Sequence, residues 1–197
     1  MTGAGEFAAV LFTGGRSRRM GCDKAFLSPA PSAPALWEIQ LEKLRALNSA
    51  ELFIAANIDQ VFPENTPGIL RDATADRGPV AALLTCFSQT QSPMLLTLAV
   101  DMPAMETSWL ASLLAEARPE RGLVCRLKGG DFFEPFPALY PKEIGPLAAE
   151  NLASGRDSMQ DLIRAGIEHN LLDTRVVPPE ETPLFANLNR PTDLDTG

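Results

Sequence analysis

Apolar residues along this chain fall into two kinds of run. Phe7–Phe12 and the stretches 52–56 and 94–100 are nearly continuous apolar sequence of strand length. A strand without polar alternation is expected to be covered on both faces, as in a parallel sheet. Between these runs the apolar positions recur at helical spacing: Trp37, Leu41, Leu44 and Leu47, then Val80, Leu83, Leu84 and Phe87, then Trp109, Leu110, Leu113 and Leu114. Gly78-Pro79 opens the second of these helices, because proline suits the first helical position. Thr107 or Ser108 is the expected cap of the third. Residues 68–71 read as a further short strand. Strand and helix thus alternate, which predicts an α/β sheet with crossover helices.

The second half breaks that rhythm. Residues 123–127 and 132–140 flank Lys128-Gly129-Gly130-Asp131, a hairpin signal that predicts an antiparallel excursion from a mostly parallel sheet. A helix is expected over 157–165 with Met159, Leu162 and Ile163 inward, and a last short strand over 184–188. The proline-rich stretch from Ser28 to Pro34 is too short to separate domains, so the 197 residues are expected to form one domain, 1–197.

Composition narrows the function. The net charge of −8 disfavours nucleic acid as a partner, since that binding relies on broad positive surface. No apolar run approaches the ~20 residues that cross a bilayer, so no membrane partner is expected. The N-terminal residues place no basic region ahead of an apolar stretch, unlike a secretory signal. Cys22, Cys86 and Cys125 are scattered and odd in number, which argues against disulfides and zinc and for a reducing cytoplasm.

One segment runs against the acidic balance. Directly after the first strand come Gly14 and Gly15, then Arg16, Arg18, Arg19 and Lys24. In an open α/β sheet, ligands bind beyond the carboxyl ends of the strands. Glycines there let backbone N–H groups approach a phosphate, and the cations supply counter-charge. The segment is not a P-loop, because Gly21 is followed by Cys22-Asp23-Lys24 and the magnesium-binding hydroxyl is missing. Nor does it fit the G-x-G-x-x-G dinucleotide fingerprint. On these residues alone, a phosphate site and a solvated basic loop both stand. Asp101, just past an apolar strand, reads as a ligand for a hard cation or as a turn residue. Asp72 closes the short third strand and would face the same crevice, or serve a turn. Asn187 and Asn189 would share one face of the last short strand, or form a turn before Pro191. Arg156 follows Gly155 at a helix edge, as a phosphate contact or a solvated cation. The single histidine, His169, lies in no motif.

Gly14-Gly15-x-Ser17-x-Arg19-Met20-Gly21-x-Asp23-Lys24 is similar to the signature of the molybdenum cofactor guanylyltransferases and their close nucleotidyltransferase relatives. The resemblance continues at Arg71-Asp72, at Arg77-Gly78-Pro79, at Val100-Asp101-Met102-Pro103, through the segment from Glu134 to Tyr140, and at Asn187-Leu188-Asn189-Arg190-Pro191. It implies a Rossmann-like three-layer nucleotidyltransferase fold and a Mg²⁺-dependent enzyme that moves GMP from GTP to molybdopterin, releasing pyrophosphate. It further implies that Phe12, Thr13, Gly14, Gly15, Ser17, Lys24, Asp72, Gly78 and Asp101 bind the nucleotide. Arg19, Lys24 and Asp101 would serve the chemistry, with Asp101 on the metal, and Arg156, Asn187 and Asn189 would serve the acceptor. Contact with molybdoenzyme maturation proteins is implied as well. The chain departs from the family at Phe12-Thr13, where leucine-alanine is usual, and at Ala55, where an asparagine often ends the second strand; Asn57 stands two residues on. These departures bear on base and acceptor, so a nucleotidyltransferase using CTP or another phosphorylated acceptor is the first alternative, and a non-catalytic nucleotide-binding protein of the same fold ranks below it.

Overall fold

The computed structural model describes residues 7–14, 23–66, 68–71, 78–118 and 120–188. The strands are β1 (Phe7–Phe12), β2 (Glu51–Ala56), β3 (Ile69–Arg71), β4 (Met94–Ala99), β5 (Gly122–Leu127), β6 (Glu134–Pro141) and β7 (Leu172–Val177). The helices are α1 (Leu36–Arg45), α2 (Gly78–Gln89), α3 (Thr107–Glu116), α4 (Gly145–Ala153) and α5 (Met159–Glu168). Short 3₁₀ turns lie at Lys24–Phe26, Lys142–Ile144 and Thr182–Phe185. No helix among the described residues is long and apolar enough to cross a membrane.

The strands form one sheet in the order β3-β2-β1-β4-β6-β5-β7. All ladders are parallel except those of β6, which runs against both β4 and β5. The expected hairpin therefore exists, and its second arm lies inside the sheet rather than at its edge.

Every residue of β1 is buried, which accounts for its unbroken apolar sequence. Phe7, Ala9 and Leu11 face a core layer built with Leu36, Leu41 and Leu44 of α1 and Leu110 and Leu113 of α3. Ala8, Val10 and Phe12 face the opposite layer, with Val80 and Leu83 of α2, Ala148 of α4, and Leu162 and Ile163 of α5. Period-two alternation of β1 thus serves two apolar layers, and the molecule has three layers.

Several local expectations need correction. The segment 184–188 is not a strand: Pro183 sits in a 3₁₀ turn, and the apolar residues that suggested a strand are core anchors. Phe185 packs edge-on against Trp109 at 5.1 Å, and Leu188 is buried. β7 went unpredicted because Leu172-Asp173-Thr174-Arg175 lacks an apolar run; it is an edge strand with polar residues facing water. Neither Thr107 nor Ser108 caps α3. Glu106 holds the cap position, and Ser108 Oγ donates back to its carboxylate at 3.0 Å. Helix α5 starts later than 157, where the Ser158 side chain accepts from Gln160 N–H.

Candidate active site

β1 and β4 are adjacent parallel strands, and β2 lies on the far side of β1. The order in which successive strands are added reverses at this point, with β2 and β3 on one side of β1 and β4 on the other, which opens a crevice at the carboxyl edge. The register pairs Phe12 with Ala99, and Val100 N–H donates to the Phe12 carbonyl at 3.0 Å. The ladder therefore delivers Thr13 and Gly14 beside Asp101. A cavity of about 220 Å³ opens there, lined by Phe12, Thr13, Gly14, Lys24, Asp101, Glu134 and Asn187 among others.

Lys24 Nζ stands 3.6 Å from Asp101 Oδ2, with the two side chains 14% and 29% exposed. An ion pair this sheltered is screened far less than one on the surface. Lys24 is held by its own 3₁₀ turn, which Asp23 caps by accepting from Ala25 N–H at 3.0 Å. Asp101 is held from both sides of its chain. Buried Gln40 of α1 donates through Nε2 to the Met102 carbonyl at 2.6 Å. Lys43 Nζ donates to the Pro103 carbonyl at 2.7 Å, and burial lowers the pKa of that ammonium. Leu188 N–H donates to the Asp101 carbonyl at 2.7 Å, which brings the neighbouring Asn187 into the cavity. Asn187 therefore lines the site from irregular backbone and not from a strand.

Phe12 packs on Phe136 with ring centroids 4.6 Å apart and is 6% exposed, so it is both core and cavity wall. Gly78 begins α2 with φ of +78°, a conformation that favours glycine. A Cβ there would lie 4.0 Å from the Asp157 carbonyl oxygen, so Gly78 sits beside the loop that carries Arg156. Neither residue lines the cavity around Asp101. Arg156 lines a second cavity of about 310 Å³ between α4 and α5, together with Asn151, Arg164 and His169. Gly15, Ser17, Arg19, Asp72 and Asn189 lie outside the described residues, as do Arg16, Met20 and Gly21.

Three residues of the site carried no sequence expectation as site residues. Glu134 opens β6, and an antiparallel strand begins where its parallel neighbour ends. The register Thr97↔Ala138, followed onward, brings Glu134 to the edge that carries Asp101. Burial raises its carboxyl pKa. The available signal was a lone acid at the head of an apolar run. Asn57, not Ala55, reaches the opening segment: a Cβ on Gly14 would meet Asn57 Oδ1 at 2.6 Å, whereas Ala55 is buried in the ladder. Gln60 is 3% exposed and bonded to both Thr13 and Asp23.

Asp101, Glu134 and Asn187 offer only oxygen donors, which suit a hard divalent cation better than a soft one. Among the described residues no group of three or more His, Cys, Asp or Glu is placed to hold a metal alone. Such donors suit a site in which one or two carboxylates share a hard divalent cation with phosphates.

Residues 9–171 match the model of the MobA-like NTP transferase domain. A probable molybdenum cofactor guanylyltransferase from Opitutus terrae is 32% identical over 195 residues, covering 98% of this chain and 95% of that protein. The molybdopterin-guanine dinucleotide biosynthesis protein A of Archaeoglobus fulgidus superposes with a TM-score of 0.67 at 19% identity, covering 95% of each chain. A Mycobacterium tuberculosis protein solved as a complex with manganese superposes with a TM-score of 0.60 at 12% identity, covering 88% of this chain and 89% of that one. With the domain match spanning most of its length, and a relative 32% identical over nearly all of it, the chain belongs to the MobA-like NTP transferase family.

Proposed function

We propose that this protein transfers GMP from GTP to molybdopterin, with Mg²⁺ as its metal and pyrophosphate as the second product. The observation that carries the proposal is the sheltered Lys24–Asp101 pair at the β1/β4 carboxyl edge. It puts a phosphate counter-charge and a metal-binding oxygen within one ligand's reach. The names of the relatives support the base and the acceptor, and the manganese complex of the M. tuberculosis protein supports a divalent ion.

In this reaction a phosphate oxygen of the acceptor attacks the α-phosphorus of GTP. A P–O bond forms, the bond from the α-phosphorus to the bridging oxygen breaks, and pyrophosphate leaves with the electron pair. No protein nucleophile is needed, so the chain's task is alignment and charge neutralisation. Backbone N–H groups of Gly14, Gly15 and Ser17 would cradle the phosphates. Lys24 and Arg19 would neutralise charge on the triphosphate. Asp101, with Asn187, would hold Mg²⁺. When bound, the ion supplies charge neutralisation at the phosphates and the leaving group. Phe12 and Phe136 form one wall of the nucleotide site, and Asp72 would accept from the ring N–H and amino group of guanine. Arg156, Asn187 and Asn189 would serve the acceptor, with Arg156 acting from the α4/α5 cavity.

The proposal is tested by binding of GTP, CTP and ATP at fixed Mg²⁺ to wild type and to Asp72→Ala. GTP should bind most tightly to wild type, and the substitution should erase its advantage over ATP, which has no ring N–H to pair with the carboxylate. Equal affinities in wild type would contradict the base assignment. A preference for CTP would make the protein a cytidylyltransferase with the same phosphate and metal residues.

A further inference from the structure

Gln60 lies in the loop after β2, outside the glycine- and arginine-rich segment and the Asp101 turn, yet its side chain is almost wholly buried. Its Nε2 donates to the Thr13 carbonyl at 3.1 Å and to Asp23 Oδ2 at 2.8 Å. Its Oε1 accepts from Asn57 N–H at 2.8 Å and lies 2.9 Å from Thr13 Oγ1. That hydroxyl also lies 3.1 Å from the Ala55 carbonyl, so its one proton serves either oxygen. An amide has two donors and two acceptor sites, and Gln60 has partners for all four.

Those partners are not arbitrary. Thr13 and Asp23 bracket residues 14–22, the glycine- and arginine-rich segment. One amide therefore holds the residue at which the chain leaves β1 and the residue at which it arrives at Lys24. Asp23 passes the restraint on: its other oxygen accepts from Ala25 N–H and caps the turn whose first residue is Lys24. Lys24 then meets Asp101. Polarity fixes the direction of the whole chain of contacts. The Asn57 N–H can only donate and the Thr13 carbonyl can only accept, so the Gln60 amide cannot be reversed without setting two like groups face to face. Residue 23 must then be an acceptor on both oxygens, which aspartate satisfies and asparagine does not.

We infer that Gln60 is a positioning residue of the nucleotide site, acting through Asp23 to set Lys24 where the triphosphate binds. The inference rests on the reading of Lys24 as a triphosphate ligand. Gln60 touches no substrate in this account. Its four bonds fix Thr13, Asp23 and Asn57 relative to one another before the nucleotide arrives, which lowers the ordering cost of placing Lys24.

The test is calorimetric GTP binding at fixed Mg²⁺, at a temperature where circular dichroism shows each variant folded. Gln60→Glu keeps the shape but sets a carboxylate against Asp23 and against the Thr13 carbonyl. It should weaken GTP about tenfold or more. Asp23→Asn, a change at a half-buried residue that spares the core, should weaken GTP by a similar factor because its amide meets the Gln60 donor. In Gln60→Glu/Asp23→Asn the new Asn donor faces the new Glu acceptor, and part of the affinity should return, the remainder staying lost because the Glu oxygen still meets the Thr13 carbonyl. In a Lys24→Ala background, Gln60→Glu should cost less than about threefold, because the group it positions is gone. The inference is overturned if Asp23→Asn and Gln60→Glu bind GTP like wild type, if the double variant shows no recovery, or if the Gln60→Glu loss is equally large without Lys24. A wild type that prefers CTP contradicts the guanylyl reading only, and the same comparison is then read with CTP. A wild type that binds no nucleoside triphosphate overturns both.

Discussion

Two cavities gather cations and carboxylates in this protein, and they hold them differently. At the β1/β4 edge, Lys24 comes from a capped 3₁₀ turn and Asp101 from just past the end of β4, and both are sheltered. The backbone around them is tied down by Gln40, Lys43, Leu188 and Asp23. Between α4 and α5, Arg156, Arg164 and His169 face Glu150, Asp161 and Glu168. There Arg164 pairs with Asp161 at 3.8 Å along one helix, with both side chains about half exposed. Such a pair contributes ~0–1 kcal/mol and is easily displaced by water or a ligand. Beside it, Asn151 Nδ2 is buried without a hydrogen-bond partner among the described residues. The edge cavity is thus preorganised, and the helix cavity is a pliable set of charges. In a reaction made of alignment and neutralisation, the first suits the reacting phosphates and the second suits an acceptor that brings its own polar groups.

The largest effect should come from the edge. Asp101→Asn keeps the shape but removes the charge, and turnover should fall about 10²-fold or more while the fold survives. Near-normal turnover with unchanged Mg²⁺ dependence would remove Asp101 from the mechanism. Lys24→Ala should cost about tenfold or more in GTP binding or kcat/KM, the scale of one lost charge-assisted hydrogen bond, and Arg19→Ala should follow it. Arg16→Ala should matter less, and an Arg16 effect larger than both would break the assignment of the opening segment. Arg156→Ala should raise the acceptor KM severalfold and leave GTP binding within about twofold, because its cavity shares no lining residue with the edge. Equal loss of GTP affinity would merge the two cavities into one site.

The smallest effect concerns a charge held tightly with no ligand to serve. Glu51 opens β2 at the amino edge of the sheet, and its Oε2 accepts from the Thr90 and Ser92 hydroxyls and from Gln91 and Ser92 N–H. Burial would raise its pKa, but those hydrogen bonds outweigh it and hold the carboxyl below its usual range. A lowered folded pKa stabilises the protein above the unfolded value, and that contribution is lost as pH falls through the folded pKa. Glu51→Gln should therefore lower Tm at neutral pH by roughly 2–4 °C, leave turnover intact, and show no difference from wild type in strong acid. Thermal melts across pH check it.

Legibility in the sequence followed the same division. β1 and β4 were plain because they are buried on both faces, which leaves their sequences almost wholly apolar. Asp101 was legible because it stands where an apolar run stops, and Lys24 because it closes a glycine- and cation-rich segment with a motif of its own. Glu134 was not, because its place depends on β6 lying antiparallel between β4 and β5, and pairing partners leave no local trace. Gln60 was hidden for a related reason: its four partners lie at residues 13, 23 and 57, and a polar residue in a loop gives no sign of being buried. The segment 184–188 misled because apolar residues that anchor a turn have the same composition as a short strand.

The most direct measurement of the central claim is mass analysis of products from purified protein with Mg²⁺, molybdenum cofactor and each nucleoside triphosphate in turn. The account predicts a GMP adduct of molybdopterin with GTP, pyrophosphate in equal amount, and none of this from Asp101→Asn. A CMP adduct formed only with CTP, or no adduct with any nucleotide, would contradict it.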